Sequence, residues 1–60
     1  MSERQAQAIV DAGIPDVMTE DVFLDLYDKL SEIEINFPKF ISRVTGMLNK
    51  LNRMATKFQF

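Results

Sequence analysis

The feature that most constrains this chain is a run of apolar residues spaced alternately three and four positions apart. The run begins at Phe23 and is apolar at all eleven of its positions. These spacings place side chains on one face of an α-helix. The run, here called the seam, comprises Phe23, Leu26, Leu30, Ile33, Phe37, Phe40, Val44, Met47, Leu51, Met54 and Phe58. A helical face of this length predicts an all-α protein.

A proline interrupts the seam. Pro38 cannot donate a backbone hydrogen bond, it disfavours helical geometry at Phe37, and it suits the first turn of a new helix. Two architectures therefore fit: a helical hairpin with a break near Pro38, or one coiled-coil-like rod over 20–58 that is kinked at the proline. Ile41 and Leu48 lie beside the seam and widen the apolar stripe beyond what a two-stranded coiled coil needs, which favours the hairpin.

Local signals add a short helix before the two longer amphipathic ones. Ser2 and Gln5 have the spacing of a capping box, and Gly13 is typical of a helix end. Thr19 is a second N-cap. Gly46 lies inside the last helix, which predicts a close approach by another backbone. We expect one small helical domain over 1–60, divided into an N-terminal arm with a short helix over 1–18 and an amphipathic helical region over 19–60.

The chain lacks the side chains on which most enzyme sites depend. It has no Cys and no His, so it has neither a thiol nucleophile nor an imidazole base for its serines. Asp21, Asp25, Asp28 and Glu32 form one acidic ridge of a helix, but no calcium-binding loop accompanies them, so we interpret the ridge as a solvated face. The sequence predicts a non-catalytic protein with no metal site and no cofactor.

Charge is divided between the two ends of the chain. All nine acidic residues lie within 1–34, where two basic residues leave a net charge of −7. The last 26 residues carry five basic residues and no acid, which gives +5. These five, the basic face, are Lys39, Arg43, Lys50, Arg53 and Lys57. The division predicts that the acidic helix lies along the basic one, within a chain or between chains.

These patterns favour a structural or protein–protein interaction role. Two helices and a short arm have too small an interior to bury so many large side chains easily. We therefore expect the seam to mediate self-association or packing into a larger assembly, as in an accessory subunit or a viral or phage component. The alternative is a membrane-surface protein that binds through its basic amphipathic C-terminal helix. Nucleic acid is a disfavoured partner because the chain is net acidic.

The sequence also bears on location. We find no secretory leader near the N-terminus and no run near the roughly 18 apolar residues that a membrane span requires. The absence of Cys fits a reducing compartment. We therefore expect a cytoplasmic or virion-associated protein.

Overall fold

Three α-helices and two short 3₁₀ turns make up residues 1–58, which the computed structural model describes, with side chains described as far as Thr56. In this part of the chain, none of the helices is long and apolar enough to cross a membrane. The predicted all-α fold, with a short helix before two longer ones, is confirmed. The elements are α1 (Glu3–Ala12), α2 (Glu20–Asn36), a 3₁₀ turn (Pro38–Phe40), α3 (Ile41–Met54) and a second 3₁₀ turn (Ala55–Phe58).

The helix ends follow the local sequence signals. The Gln5 backbone N–H donates to Ser2 Oγ at 3.2 Å and the Ser2 N–H donates to Gln5 Oε1 at 2.9 Å, which completes the capping box of α1. Gly13 ends α1 with a φ of 74°, a conformation that glycine adopts at little cost. Thr19 Oγ1 accepts from the Val22 N–H at 3.3 Å and caps α2.

The chain folds back at Pro38 as a hairpin. A continuous helix over 20–58 would be about 58 Å long at a rise of 1.5 Å per residue, whereas the longest dimension of the structure is 31 Å. The Phe37 N–H donates to the Ile33 carbonyl at 2.8 Å and ends α2, and the Phe40 N–H donates to the Phe37 carbonyl at 3.0 Å in the turn. The last α-helix ends at Met54, earlier than the expected Phe58, because residues 55–58 form a 3₁₀ turn.

The core lies where all three helices meet. Its eight buried side chains are Ala6, Val10, Phe23, Leu30, Ile33, Phe40, Val44 and Leu51. The helix α1 contributes only two small residues to it, so α1 rests on the hairpin, and the large side chains come from α2, α3 and the turn between them. Within the described residues, no buried side-chain nitrogen or oxygen lacks a hydrogen-bond partner.

Gly46 has open space around it. Apart from its chain neighbours and the adjacent backbone of α3 itself, no described heavy atom lies within 4 Å of the position that its Cβ would occupy, so the expected close approach by another backbone was wrong. We predict that Gly46→Ala stabilises α3 by about 1 kcal/mol, since alanine is the better helix former, and raises Tm by about 4–8 °C in a domain of this size.

Gly13→Ala is the matched control for this prediction, because the φ of 74° at Gly13 is strained for alanine. It should lower Tm. Both variants are measured by circular dichroism melting at one protein concentration. A Gly46→Ala variant that melts no higher than the wild type would contradict the open environment at this position.

Candidate interaction surface

The seam lies inside the hairpin. Six of its members are buried and four more pack against them. The buried six are Phe23, Leu30, Ile33, Phe40, Val44 and Leu51, and the partly buried four are Leu26, Phe37, Met47 and Met54. The eleventh predicted position, the side chain of Phe58, lies outside the described residues. The seam therefore joins α2 to α3, and the apolar surface that a partner could reach lies elsewhere.

Most of the described basic face turns toward α1. The Lys39 ammonium lies 3.5 Å from the Glu3 carboxylate, and the Arg43 guanidinium donates to Asp11 Oδ1 at 3.2 Å. Both pairs are exposed, so each contributes only about 0–1 kcal/mol, but together they help to set the position of α1. Lys50 borders a cavity of about 370 Å³ that α1 and the following loop also line.

Two members of the basic face remain. Arg53 is exposed on the outer side of α3. The side chain of Lys57 lies outside the described residues. The sequence did not indicate that α1, rather than α2, would supply the acidic partners of Lys39 and Arg43.

The acidic ridge of α2 is solvent-exposed. Asp21, Asp25, Asp28 and Glu32 all lie at the surface. The Lys29 ammonium is 2.9 Å from the Asp25 carboxylate one helical turn away. Among residues 1–58, no three acidic side chains are grouped so that they could hold a metal ion. The ridge therefore adds negative charge to one edge of the hairpin.

The side of α2 that faces away from α1 carries exposed apolar residues. Leu24 is 50% exposed, Tyr27 36% and Ile35 77%. Helical periodicity places Tyr27 beside the buried row, with Leu24 and Ile35 further round toward the outer surface of α2, all on the flank away from Val22 and Lys29, which border α1. Large apolar side chains with this exposure are not accounted for by the hairpin core.

A matching row runs along α3 on the same side. Ile41 is 49% exposed, and Leu48 and Ala55 follow at seven-residue intervals as partly buried residues. A groove of about 250 Å³ connects the two rows, because Leu24 and Tyr27 line it together with Asn52 and Ala55. We call this combined surface the open face; its apolar members are Leu24, Tyr27, Ile35, Ile41, Leu48 and Ala55.

The two margins of the open face differ in charge. On α2, Asp28 follows Leu24 by one helical turn and makes the margin acidic. On α3, Thr45, Asn49 and Arg53 follow Ile41 at four-residue intervals, which turn progressively from the open face toward the outer side of the helix, so this margin is neutral to basic. On α2, Glu20 and Glu34 lie seven residues on either side of Tyr27, and Ser31 lies seven after Leu24. The open face is thus a group of apolar residues interspersed with polar ones, acidic on the α2 side and neutral to basic on the α3 side.

Comparison with known proteins identifies no relative. No protein-family model, no curated protein and no solved structure matches this chain. The open face gathers four of the seven large hydrophobic residues that are exposed in the described part of the chain: Leu24, Tyr27, Ile35 and Ile41.

Proposed function

We propose that this chain is a non-catalytic protein-binding subunit that buries its open face against another helical surface, either a second copy or a larger assembly. The observation that carries the proposal is the group of apolar residues that α2 and α3 expose on the side away from α1. Exposed apolar residues gathered beside a groove and bordered by polar residues are typical of protein interaction sites.

The proposal explains why the hairpin is covered on one side only. The small residues Ala6 and Val10 of α1 are buried against one side. On the other side, Ile35 and Ile41 expose much of their surface to water although they lie close to the turn that joins the helices. Burial contributes about 25 cal/mol for each Å² of apolar surface removed from water, so covering the open face favours association.

Membrane-surface binding through α3 is the alternative proposal, and the arrangement of charge supports it less well. Lys39 and Arg43 are paired with α1, while the open face has the acidic margin of α2. An anionic membrane that met the open face would also meet Asp28, and like charges repel. The basic residues and the exposed apolar residues of the hairpin therefore lie largely on different sides.

Chemical labelling of a single thiol tests whether the open face is covered. The chain has no Cys, so Ile35→Cys introduces the only one. We expect labelling about a hundredfold slower than in a dilute monomer when the free partner concentration is one hundred times the Kd, because reaction then requires the uncovered state, which is about 1% of the protein. Labelling is measured on purified protein over a range of concentrations and in lysate of the producing cells.

Val17→Cys is the matched control, because Val17 is 88% exposed in the loop before α2, close to the 77% of Ile35. It should label rapidly in every condition. Equal rates for both thiols in purified protein and in lysate would contradict the proposal. Protection of Ile35→Cys that requires vesicles containing phosphatidylglycerol would replace the proposal with the membrane alternative.

A further inference from the structure

We infer that the occupant of the open face is a second copy of this chain, with α2 of each copy packed against α3 of the other to form an antiparallel four-helix bundle. The inference rests on the proposed function and names its partner. It follows from three properties of the open face: its symmetry options, its charge and its area.

Twofold symmetry offers two ways to place one open face on another. An axis parallel to the helices places α2 over α3 of the second copy, and these neighbours are antiparallel because α2 and α3 are antiparallel within each chain. An axis perpendicular to the helices, in the plane of the interface, places α2 over α2 and α3 over α3. Both bury the same apolar residues, so apolar contact alone does not distinguish them.

Charge distinguishes the two arrangements. On the open side, α2 carries Glu20, Asp28 and Glu34. On α3, Arg43 and Lys50 lie toward α1, which leaves Arg53 as the charge nearest the open side among the described residues of this helix. Placing α2 over α2 would bring two acidic helix faces together, and placing α3 over α3 would leave Arg53 without an acidic partner. The arrangement with α2 over α3 pairs opposite charges twice, and interfaces select such complementarity.

The dimensions of the chain allow a small specific dimer interface. The structure measures 31 by 16 by 16 Å, so one whole long side projects to about 500 Å², and two copies in contact over that entire side would bury about 1,000 Å² in all, near the lower limit for a specific interface. The helices are antiparallel to both neighbours in this bundle, a common geometry of four-helix bundles.

One contact defines the arrangement. Within a chain, Leu24 lies level with Asn52 and Ala55 at the groove. A twofold axis parallel to the helices keeps each residue at the same height along the bundle. The acidic margin at Asp28 of one copy therefore meets the margin of Asn49 and Arg53 of the second. Because side chains tilt toward the start of their own helix, Asp28 and the Arg53 of the second copy point toward each other.

Charge reversal tests this contact by sedimentation equilibrium at low salt. We expect Arg53→Glu and Asp28→Lys each to raise the dimer Kd about tenfold, since the symmetry axis repeats the contact, and the double variant to restore the Kd to within about threefold. Lys50→Glu is the matched control, because Lys50 lies on the α1 side of α3; it should leave the Kd nearly unchanged. The effects should decrease in high salt.

Disulfide formation gives a readout that does not depend on affinity. Asp28→Cys combined with Asn49→Cys should link two copies under mild oxidation. Asp28→Cys alone should not link two copies. It would do so if α2 lay over α2, because Asp28 is at the midpoint of α2 and would then face Asp28 of the second copy. Crosslinking of the single variant would overturn the inferred arrangement. Circular dichroism confirms that each variant is helical.

The inference and the proposed function fail in different ways. If the chain is monomeric at every concentration but its Ile35→Cys thiol is protected in lysate, the inferred dimer is wrong and the proposed binding to a protein partner stands. A chain that is monomeric and unprotected everywhere overturns both. A concentration-dependent dimer with rescue by the Asp28→Lys, Arg53→Glu double variant supports both.

Discussion

Leu30→Ala and Leu51→Ala should each leave the isolated chain unfolded or without a cooperative thermal transition. Both leucines are fully buried between α2 and α3. Truncating a buried leucine to alanine typically costs about 2–5 kcal/mol, because transfer free energy is lost and a cavity is left. The core of a domain this small rarely supplies more than about 3–5 kcal/mol, so either truncation should remove most or all of the free energy of unfolding.

The controls for this experiment are exposed residues of the same helices. Glu32→Ala on α2 and Ser42→Ala on α3 remove side chains that lie at the surface, and surface changes are usually within about 0.5 kcal/mol. All four variants are compared by urea unfolding at a concentration where the wild type is monomeric. Normal unfolding of Leu30→Ala and Leu51→Ala would mean that the helices do not pack through these residues in solution.

Much of the fold was predictable because its determinants are local. The capping pairs at Ser2 and Thr19, the φ requirement at Gly13 and the missing N–H of Pro38 each act within a few residues of the chain. Apolar periodicity then identified which side of each long helix is buried. All of the described seam residues lie in the core or pack against it.

Periodicity alone could not say what the seam packs against. A row spaced by three and four is equally consistent with burial against the same chain or against another. The distinction depends on the turn: the N–H of Phe40 donates to the Phe37 carbonyl, and this tight reversal lets the α2 and α3 parts of the seam face each other. The preference for a hairpin was confirmed, but the sequence pattern did not separate core from partner surface.

The open face was missed because its residues lie off the seam. Leu24 and Ile35 are apolar positions that the seam spacing skips, and they became significant only once α1 was seen to cover the opposite side. Ile41 was noted only as evidence for a wide stripe. A signal was nevertheless present, since apolar residues on two flanks of an amphipathic helix exceed what one buried side requires.

The placement of α1 could not be predicted from its own sequence. Its pairs, Glu3 with Lys39 and Asp11 with Arg43, join residues more than thirty positions apart. Long-range charge pairs of this kind leave no periodic signal, and the division of charge along the chain was instead attributed to α2 and α3. The open face exists because α1 lies on the other side, so the candidate site depends on this unpredicted contact.

Ala6→Asp should detach α1 from the hairpin. Ala6 is fully buried, and a carboxylate buried there without a partner would cost several kcal/mol. An isolated helix of fewer than about 12 residues is marginal in water, so α1, with ten residues, should lose its helical structure once it leaves the hairpin. We expect a loss of helical ellipticity corresponding to α1, a lower Tm and faster proteolysis at Arg4.

Ala8→Asp is the matched control, since it makes the same substitution in the same helix at an exposed position. Ala8 lines a surface cavity together with Lys29, so a new carboxylate there stays solvated and close to a cation. The intrinsic helix propensity changes equally in both variants, and the difference between them isolates the burial of position 6. Equal ellipticity and equal proteolysis of the two variants would contradict the docking of α1, and with it the division of the hairpin into one covered and one open side.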